Sequence, residues 1–296
     1  MSGPYGRRSY VDSLAGEGGE VVSLWGGHVL LRPLPSGAGR DAVSAYPMGG
    51  FAADADLDDG LADLRAAGAI SLTVIADPLN APDAGALSRT ADVHRRLKTH
   101  YLLDREIGPF APSKHHRAEI RRARRQVIVE RVALSQAMAT WAALYDHLAE
   151  RHEIQAGARL GARHFAHLAA DPAAVVLAAR AAGEVVAMSI WLSDGTVAHN
   201  HLGASSEAGY AVGASYALYA AAVETLEECR VLDFGGAPGL ADDPDHGLAR
   251  FKRGFANAEG ATWLSGFVLD REGYAAALRD SGADSATGFF PAYRAR

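Results

Sequence analysis

Asp194-Gly195 lies between two apolar runs, residues 185–193 and 196–203, and such a dipeptide supplies the turn that joins adjacent antiparallel strands. A third run at 174–180 precedes the pair, so three antiparallel strands follow one another. Before them the pattern predicts a strand over 127–134, a helix capped by Ser135 and running to 152, and a second helix over 160–170. After them come a helix over 212–228, a strand at 231–234, a helix over 248–256, a strand over 262–269 and a helix over 271–281. Such an order predicts an α/β (α+β) fold whose mixed, mostly antiparallel sheets are flanked by helices.

The first half carries a shorter version of the same order. Two strands within 21–34 surround Gly26-Gly27, a glycine turn follows at Tyr46-Pro47-Met48-Gly49-Gly50, then a helix over 57–67 and a β-branched strand over 71–76. The segments SLWGGHVLLRPL and SIWLSDGTVAHNHL align weakly, and the glycine turn, helix and strand that follow also correspond, which predicts a duplicated unit. The expected division is an N-terminal truncated copy over 1–108 and a C-terminal domain over 109–296. A short strand at 100–103 closes the first part. The aromatic tail Phe289, Phe290 and Tyr293 is expected to dock on a site the sequence does not name.

Charge narrows the partners. With 29 basic and 35 acidic residues the chain has a net charge of −6, so only a local basic patch suits a nucleic acid. One such patch is visible: Ser113 caps a helix over 114–126 on which Lys114, Arg117, Arg121 and Arg124 recur at spacings of three and four, with Arg122 and Arg125 alongside. It is either a solvated helix face or a contact for anions or RNA. The single cysteine, Cys229, excludes an internal disulfide and a multi-cysteine metal site and reads as packing. No apolar leader opens the sequence, and the longest apolar run, 208–223, is broken by glycine, serine and tyrosine, so no membrane span is expected and the location expected is cytoplasmic.

Residues 231–255, VLDFGGAPGLADDPDHGLARFKRGF, concentrate the chemistry. A buried strand ends at Gly235-Gly236, where missing Cβ atoms let a ligand approach the backbone, and the following helix carries Arg250, Lys252 and Arg253 back toward the turn. Phe251 and Phe255 take its core face, so the three cations are candidates for holding an anionic substrate group. The intervening loop, 241–246, is expected to close over substrate. Asp233 is either a carboxylate that orients an amine or a cap for the turn. Although Asp233-Phe234-Gly235 matches the metal motif of protein kinases, none of the companion motifs is present. His199 and His201, two apart on a strand, share a face; His201 is a candidate proton acceptor or a structural histidine, and the pair has no evident third partner for a metal. In SSEAGYAVGAS, Gly213, Ala214 and Ser215 open a helix whose amides suit a donor pyrophosphate.

Four segments in order, SKHHRAEIRRARR, HNHLGASS, VLDFGGAP and GLARFKRGF, resemble the FemA/FemB-like group of tandem Gcn5-related N-acetyltransferase (GNAT) folds, which move an aminoacyl group from charged tRNA onto an amine. The resemblance implies a tandem GNAT-like fold with aminoacyl-tRNA as co-substrate and no tightly bound cofactor. It places Lys252 beside acceptor phosphates and Tyr46 with Gly49 and Gly50 beside the substrate cleft. Without the long helical arm of cell-wall members, the acceptor expected is a small amine or a peptide. On this view His201 and Asp233 are catalytic, His199, Arg250, Arg253, Gly235 and Gly236 line the acceptor, and Lys114, Arg117, Arg121, Arg124 and Arg125 contact the tRNA acceptor end. Two alternatives stand beside it: an acyl-CoA-dependent N-acetyltransferase using acetyl-CoA, and a non-catalytic tandem domain that binds a nucleotide or a partner protein.

Overall fold

A computed structural model describes residues 2–155, 158–239, 242–284 and 288–295. The chain forms two compact units, one of residues up to Lys98 together with those from Ala261, the other of Thr99–Gly260. The sequence predicts one division, after residue 108; here the chain crosses between units twice, within two long strands.

In the first unit, α1 (Arg8–Ser13) precedes β1 (Glu20–Leu24), β2 (Gly27–Pro33) and β3 (Arg40–Ser44), which pair antiparallel in that order. The hairpin turn sits at Trp25-Gly26, one residue earlier than Gly26-Gly27, because Leu24 pairs with Gly27 and both turn residues have positive φ, 50° and 72°. Next, α2 (Leu57–Ala66), capped by Asp56, leads to β4 (Ala69–Ala76), which runs parallel to β3. After α3 (Ala84–Thr90) the chain enters β5 (Val93–Asp104), twelve residues where the sequence showed only a short strand.

The second unit takes up β5 at Thr99. Ser113 caps α4 (Lys114–Ala123), as its place after Pro112 suggests, and β6 (Ile128–Arg131) follows. Helix α5 (Leu134–Arg151) starts one residue before Ser135; Ala133 holds the cap position and no side chain caps the helix. Helix α6 (Ala162–Ala170) leads into the meander of β7 (Ala174–Ala181), β8 (Glu184–Ser193) and β9 (Val197–Ser205), antiparallel throughout, with β6 on its edge. The helix expected over 212–228 is α8 (Ala214–Thr225), which begins after Gly213 turns left-handed at φ 67°; a short helix the sequence does not predict, α7 (Glu207–Ala211), precedes it. Strand β10 (Val231–Asp233) runs parallel to β9 and antiparallel to β5, and α9 (Gly247–Arg253) precedes β11 (Ala258–Val268).

Back in the first unit, β11 pairs antiparallel with β4, and α10 (Arg271–Ser281) spans the expected residues, with the Asp270 side chain capping its first amides. The tail does dock. Tyr293 donates its hydroxyl hydrogen to buried Asp41 and lies 2.7 Å from the Ser71 hydroxyl, while Phe290 lies so close over Gly266 that a Cβ there would come within 2.5 Å of its ring. Tyr293 is buried, whereas Phe289 stays exposed.

Both units repeat one topology: three antiparallel strands, a fourth parallel to the third, and a fifth antiparallel to the fourth. The equivalent triplets are β1–β2–β3 and β7–β8–β9, so the hairpin matched in sequence, β1–β2 against β8–β9, is displaced by one strand. The displacement has a physical source. Alternating apolar residues look alike on every hairpin, whereas equivalence is set by which strand meets the parallel one.

Each unit has its own apolar core, one around Trp25, Phe51, Leu72 and Phe267, the other around Trp191, Tyr219, Phe234 and Phe255. In the second, Arg105 at the end of β5 donates to the carbonyls of Val223, Leu226 and Cys229, which closes the exposed carboxyl end of α8. Charged hydrogen bonds of this kind contribute about 2 kcal/mol together. Arg105→Ala is therefore expected to lower unfolding free energy by about that amount in denaturant titration, and Arg105→Lys to recover less than half, because an ammonium cannot reproduce the fork.

Candidate functional site

Strand β10 ends at Asp233, whose carboxylate is 1% exposed and fully engaged. Its Oδ2 accepts from His100 Nδ1 on β5 at 2.8 Å and from His199 Nδ1 on β9 at 3.2 Å; its Oδ1 accepts from the Gly235 amide at 2.7 Å. Burial is the largest influence and pushes the carboxyl pKa up, but the charge and hydrogen bond of His100, with those of His199, outweigh it and hold the group well below the usual carboxylate range. Of the two readings offered by the sequence, the turn cap is the one seen here: Asp233 holds the Gly235 amide and stays ionised. Gly235 takes φ 77°, and a Cβ there would lie 3.1 Å from Lys252 Nζ.

Lys252 is buried, and its ammonium donates to the Gly236 carbonyl at 2.7 Å. Burial lowers its pKa to about 8, with Asp233 pulling the other way. Arg250 and Arg253 do not join it. At about 100° per residue they share one side of α9 while Lys252 lies on the other. Arg253 donates to the Pro244 carbonyl and the Tyr101 hydroxyl; Arg250 is exposed and has no side-chain partner among the described residues.

The loop between turn and helix is anchored where it is described. Asp242 accepts from the Thr99 amide and hydroxyl, Arg253 holds Pro244, and His246 caps α9 through the Leu248 amide. Residue 241, the start of the segment expected to close over substrate, lies outside the described residues, as does residue 240 before it.

Along β9 the side chains alternate. His199 meets Asp233, Asn200 accepts from Tyr219 of α8, and His201 meets His164 of α6 with 3.1 Å between Nε2 atoms. One nitrogen must donate and the other accept, so the pair needs at least one neutral ring. Burial is the main cause lowering both, His164 to about 4 and His201 well below its ordinary value. Among the described residues no group of three or more His, Cys, Asp or Glu could hold a metal ion.

His115, Tyr216, Arg250, Phe251 and Arg253 line an open pocket of ≈ 480 Å³ beside α9. Its floor is rigid: the Ser113 hydroxyl lies 2.8 Å from His116 Nδ1, and His116 Nε2 donates to the Phe251 carbonyl at 2.8 Å. The basic residues of α4 and of the turn just after it run away from this pocket and are all exposed. Arg117 turns back to the Pro112 carbonyl and Arg124 pairs with Glu224, while Lys114, Arg121 and Arg125 carry no ion pair among the described residues.

At the start of α8, Gly213 holds the cap position without a side-chain hydrogen bond, and Ala214 and Ser215 form the first turn. Tyr46, Gly49 and Gly50 belong to the first unit. Tyr46 is 59% exposed and its carbonyl accepts from Tyr10; a Cβ on Gly50 would come within 1.8 Å of the Ser2 carbonyl, so these glycines are needed for packing there. His100, His164, His115 and Tyr216 were not singled out in the sequence. His100 lies 133 residues from Asp233, and no local pattern links them.

Residues 113–253 match the family model for the acetyltransferase (GNAT) domain. No curated protein sequence matches the chain. Similar solved structures include FemX, with TM-score 0.66 and 13% identity over 93% of this chain and 95% of that one. A second is the C-terminal domain (DUF2156) of a provisionally named lysylphosphatidylglycerol synthetase from Agrobacterium fabrum, with TM-score 0.60 and 16% identity over 93% and 91%. L-PGS from Bacillus licheniformis follows, with TM-score 0.58 and 14% identity over 89% and 88%. These likenesses establish the shared fold. No helix of the described residues is long and apolar enough to cross a membrane.

The His164–His201 pair makes stability depend on acid. Unfolded histidines take a proton near pH 6.5, whereas in the folded chain His164 resists until about pH 4 and buried His201 is also held well below its ordinary value. Between those values the unfolded state binds more protons, so stability present above pH 6.5 is lost as pH falls. Urea titrations from pH 7.5 to 4.5 are expected to show that decline, and His164→Gln to flatten it.

Proposed function

We propose that this chain, a member of the GNAT superfamily through residues 113–253, is an N-acyltransferase that takes an aminoacyl group from charged tRNA and delivers it to the amine of a small molecule or peptide. The observation that carries this reading is the exposed basic face of α4, on a chain whose net charge is −6, which starts at the open pocket lined by His115, Tyr216, Arg250 and Phe251. A fold shared with FemX and L-PGS is consistent with an aminoacyl-tRNA substrate.

In the proposed reaction the amine nitrogen attacks the ester carbonyl. The C–N bond forms, the C–O bond to the ribose breaks, and the proton lost by the amine is delivered to the departing ribose oxygen. Because the ester is already activated, most of the acceleration comes from holding the two reactants together. Lys252 spends one N–H on Gly236 and keeps two for an anion at the turn, either an acceptor phosphate or the oxyanion of the tetrahedral intermediate. Asp233 and His201 are better suited to positioning than to proton acceptance. Asp233 already takes three donors, and a ring whose pKa is depressed by burial binds a proton weakly. Gly235 and Gly236 form the turn that would face the acceptor, with His199 behind it on β9 holding Asp233, while Tyr46, Gly49 and Gly50 are acceptor candidates by resemblance alone.

One observation favours a second reading, an acyl-CoA-dependent N-acetyltransferase: the uncapped first turn of α8 at Gly213, Ala214 and Ser215 leaves amides for a pyrophosphate.

An amine panel offered with either charged tRNA or acetyl-CoA separates the two; transfer from acetyl-CoA alone overturns the first. Lys252 is cationic below about pH 8 and loses its proton as pH rises through that value. The rate is therefore expected to fall above about pH 8, and Lys252→Arg to move that fall upward. Lys252→Ala should lower kcat by roughly 10²–10³ if the cation meets the oxyanion, and raise KM alone if it only holds substrate. Replacing Arg117, Arg121 and Arg124 by alanine together should weaken use of charged tRNA and reduce its salt dependence; unchanged use removes that face from the reaction.

A further inference from the structure

The structure assigns to the first unit a stacking platform for a planar ring, built by Trp263 of β11 on His94 of β5. The ring belongs to the acceptor amine, and that part of the assignment rests on the proposed function. The chain has four tryptophans. Trp25, Trp141 and Trp191 are at most 5% exposed, whereas Trp263 is only half-buried. Among the described residues it belongs neither to the core around Trp25, Phe51 and Phe267 nor to the side chains packed against that core. Its indole N–H has no partner among the described residues and is not shut away in the interior. An indole kept out of the core forfeits a large apolar contribution to stability, so core packing does not account for its place.

What lies against the indole holds it flat. The His94 imidazole stacks on it with 4.9 Å between ring centres and 5° between planes. His94 Nδ1 lies 3.0 Å from the hydroxyl of Ser265, which is fully buried and two residues from Trp263 on the same face of β11. Both Trp263 and Ser265 stand on a stretch of β11 paired with β4, so the platform rises from hydrogen-bonded backbone and not from a loop. Burial lowers the His94 pKa, which keeps the supporting ring neutral near pH 7.

Three features fix the class of ligand. A flat indole on a flat imidazole extends best into a third flat ring, which favours an aromatic over a puckered one. The indole N–H only donates, so the edge of that ring carries a hydrogen-bond acceptor such as a hydroxyl or carbonyl oxygen. Arg96 is exposed two residues along β5 from His94 and opposes a second cation there, so the ring stacks and the ammonium points away. Trp263 pairs with Ala76, and Ala76 bridges to Gly49, which sets the platform beside the Tyr46–Gly50 turn. The ligand is therefore an amine that bears an aromatic ring with an oxygen on its edge. The base of a nucleotide-linked acceptor offers the same flat face and oxygen, and the test separates the two.

The test uses the full chain as wild type, Trp263→Leu, Trp263→Phe and His94→Ala, with circular dichroism and urea titration to verify folding. Tyramine, phenethylamine, cyclohexylethylamine and uridine are the probes. Binding is read from the Trp263 indole N–H resonance in nitrogen-labelled protein, assigned by its loss in Trp263→Phe, and from saturation transfer to the probe in the variants. Tyramine is expected to move that resonance saturably. Trp263→Leu is expected to weaken tyramine binding roughly tenfold and His94→Ala about threefold. Trp263→Phe, which keeps a ring but loses the N–H, should still bind phenethylamine and no longer prefer tyramine to it. In the transfer assay Trp263→Leu should raise KM for ring-bearing amines with kcat unchanged. Cyclohexylethylamine bound as tightly as phenethylamine, or wild-type tyramine affinity in Trp263→Leu, overturns the stacking platform; if Trp263→Leu does not fold, wild-type affinity in His94→Ala with an unchanged tyramine preference in Trp263→Phe does so. Uridine bound while tyramine is refused supports the platform and overturns the aromatic amine. An indole resonance unmoved by every probe overturns the inference outright. Binding is read without any acyl donor, so tyramine binding with no transfer from charged tRNA or acetyl-CoA upholds the platform and overturns the proposed function instead.

Discussion

A carboxylate buried without donors is too costly to keep ionised, and the second unit is arranged so that Asp233 never faces that cost. His100 from β5, His199 from β9 and the amide of Gly235 each give it a hydrogen bond. One anion thereby sets the spacing of three neighbouring strands and the bend of the turn. Everything placed by that turn depends on it: the left-handed Gly235, the Gly236 carbonyl that holds Lys252, and the start of the anchored loop. Removing one histidine would leave the carboxylate partly unsatisfied in the core rather than merely deleting a surface contact.

Helix α9 then divides its charges between two tasks because of its pitch. Phe255 and the flank of Phe251 are committed to the aromatic core, so the three basic residues must emerge on either side of them. Lys252 falls on the buried side, where desolvation lowers its pKa to about 8, and the two arginines fall on the open side beside α4. A single basic run in the sequence thus serves two environments of very different dielectric character. An ammonium suits the first, because it can lose its proton and its charge there; a guanidinium suits the second, because it stays charged and binds a phosphate in a fork.

The first unit shows what the same topology does without those groups. After β3 the chain makes the Tyr46–Gly50 turn, and Gly49 joins β4 by a bridge to Ala76. The Ser2 carbonyl and the backbone of Gly6 occupy the space that any side chain on Gly50 would need. The glycines there are explained by packing within the unit. Fold similarity alone does not carry a reaction to such a unit, since function resides in the placed groups.

By itself the sequence determined the local elements and their order. Ser113 marks a helix start by its ability to cap free amides, and Asp194-Gly195 marks a hairpin by its backbone freedom. These signals act over a few residues, so they can be read in one dimension. The same locality limits them: the turn at Trp25 falls one residue earlier than expected, and α7 forms before Gly213 unannounced, because competing local choices differ little in energy. Only the tertiary structure decided that His100 meets Asp233 across 133 residues, that His164 meets His201, and that Lys252 parts company with Arg250 and Arg253. Those outcomes follow from burial, which assigns each polar group a partner or leaves it in water. Burial is a property of the packed chain and not of any stretch within it.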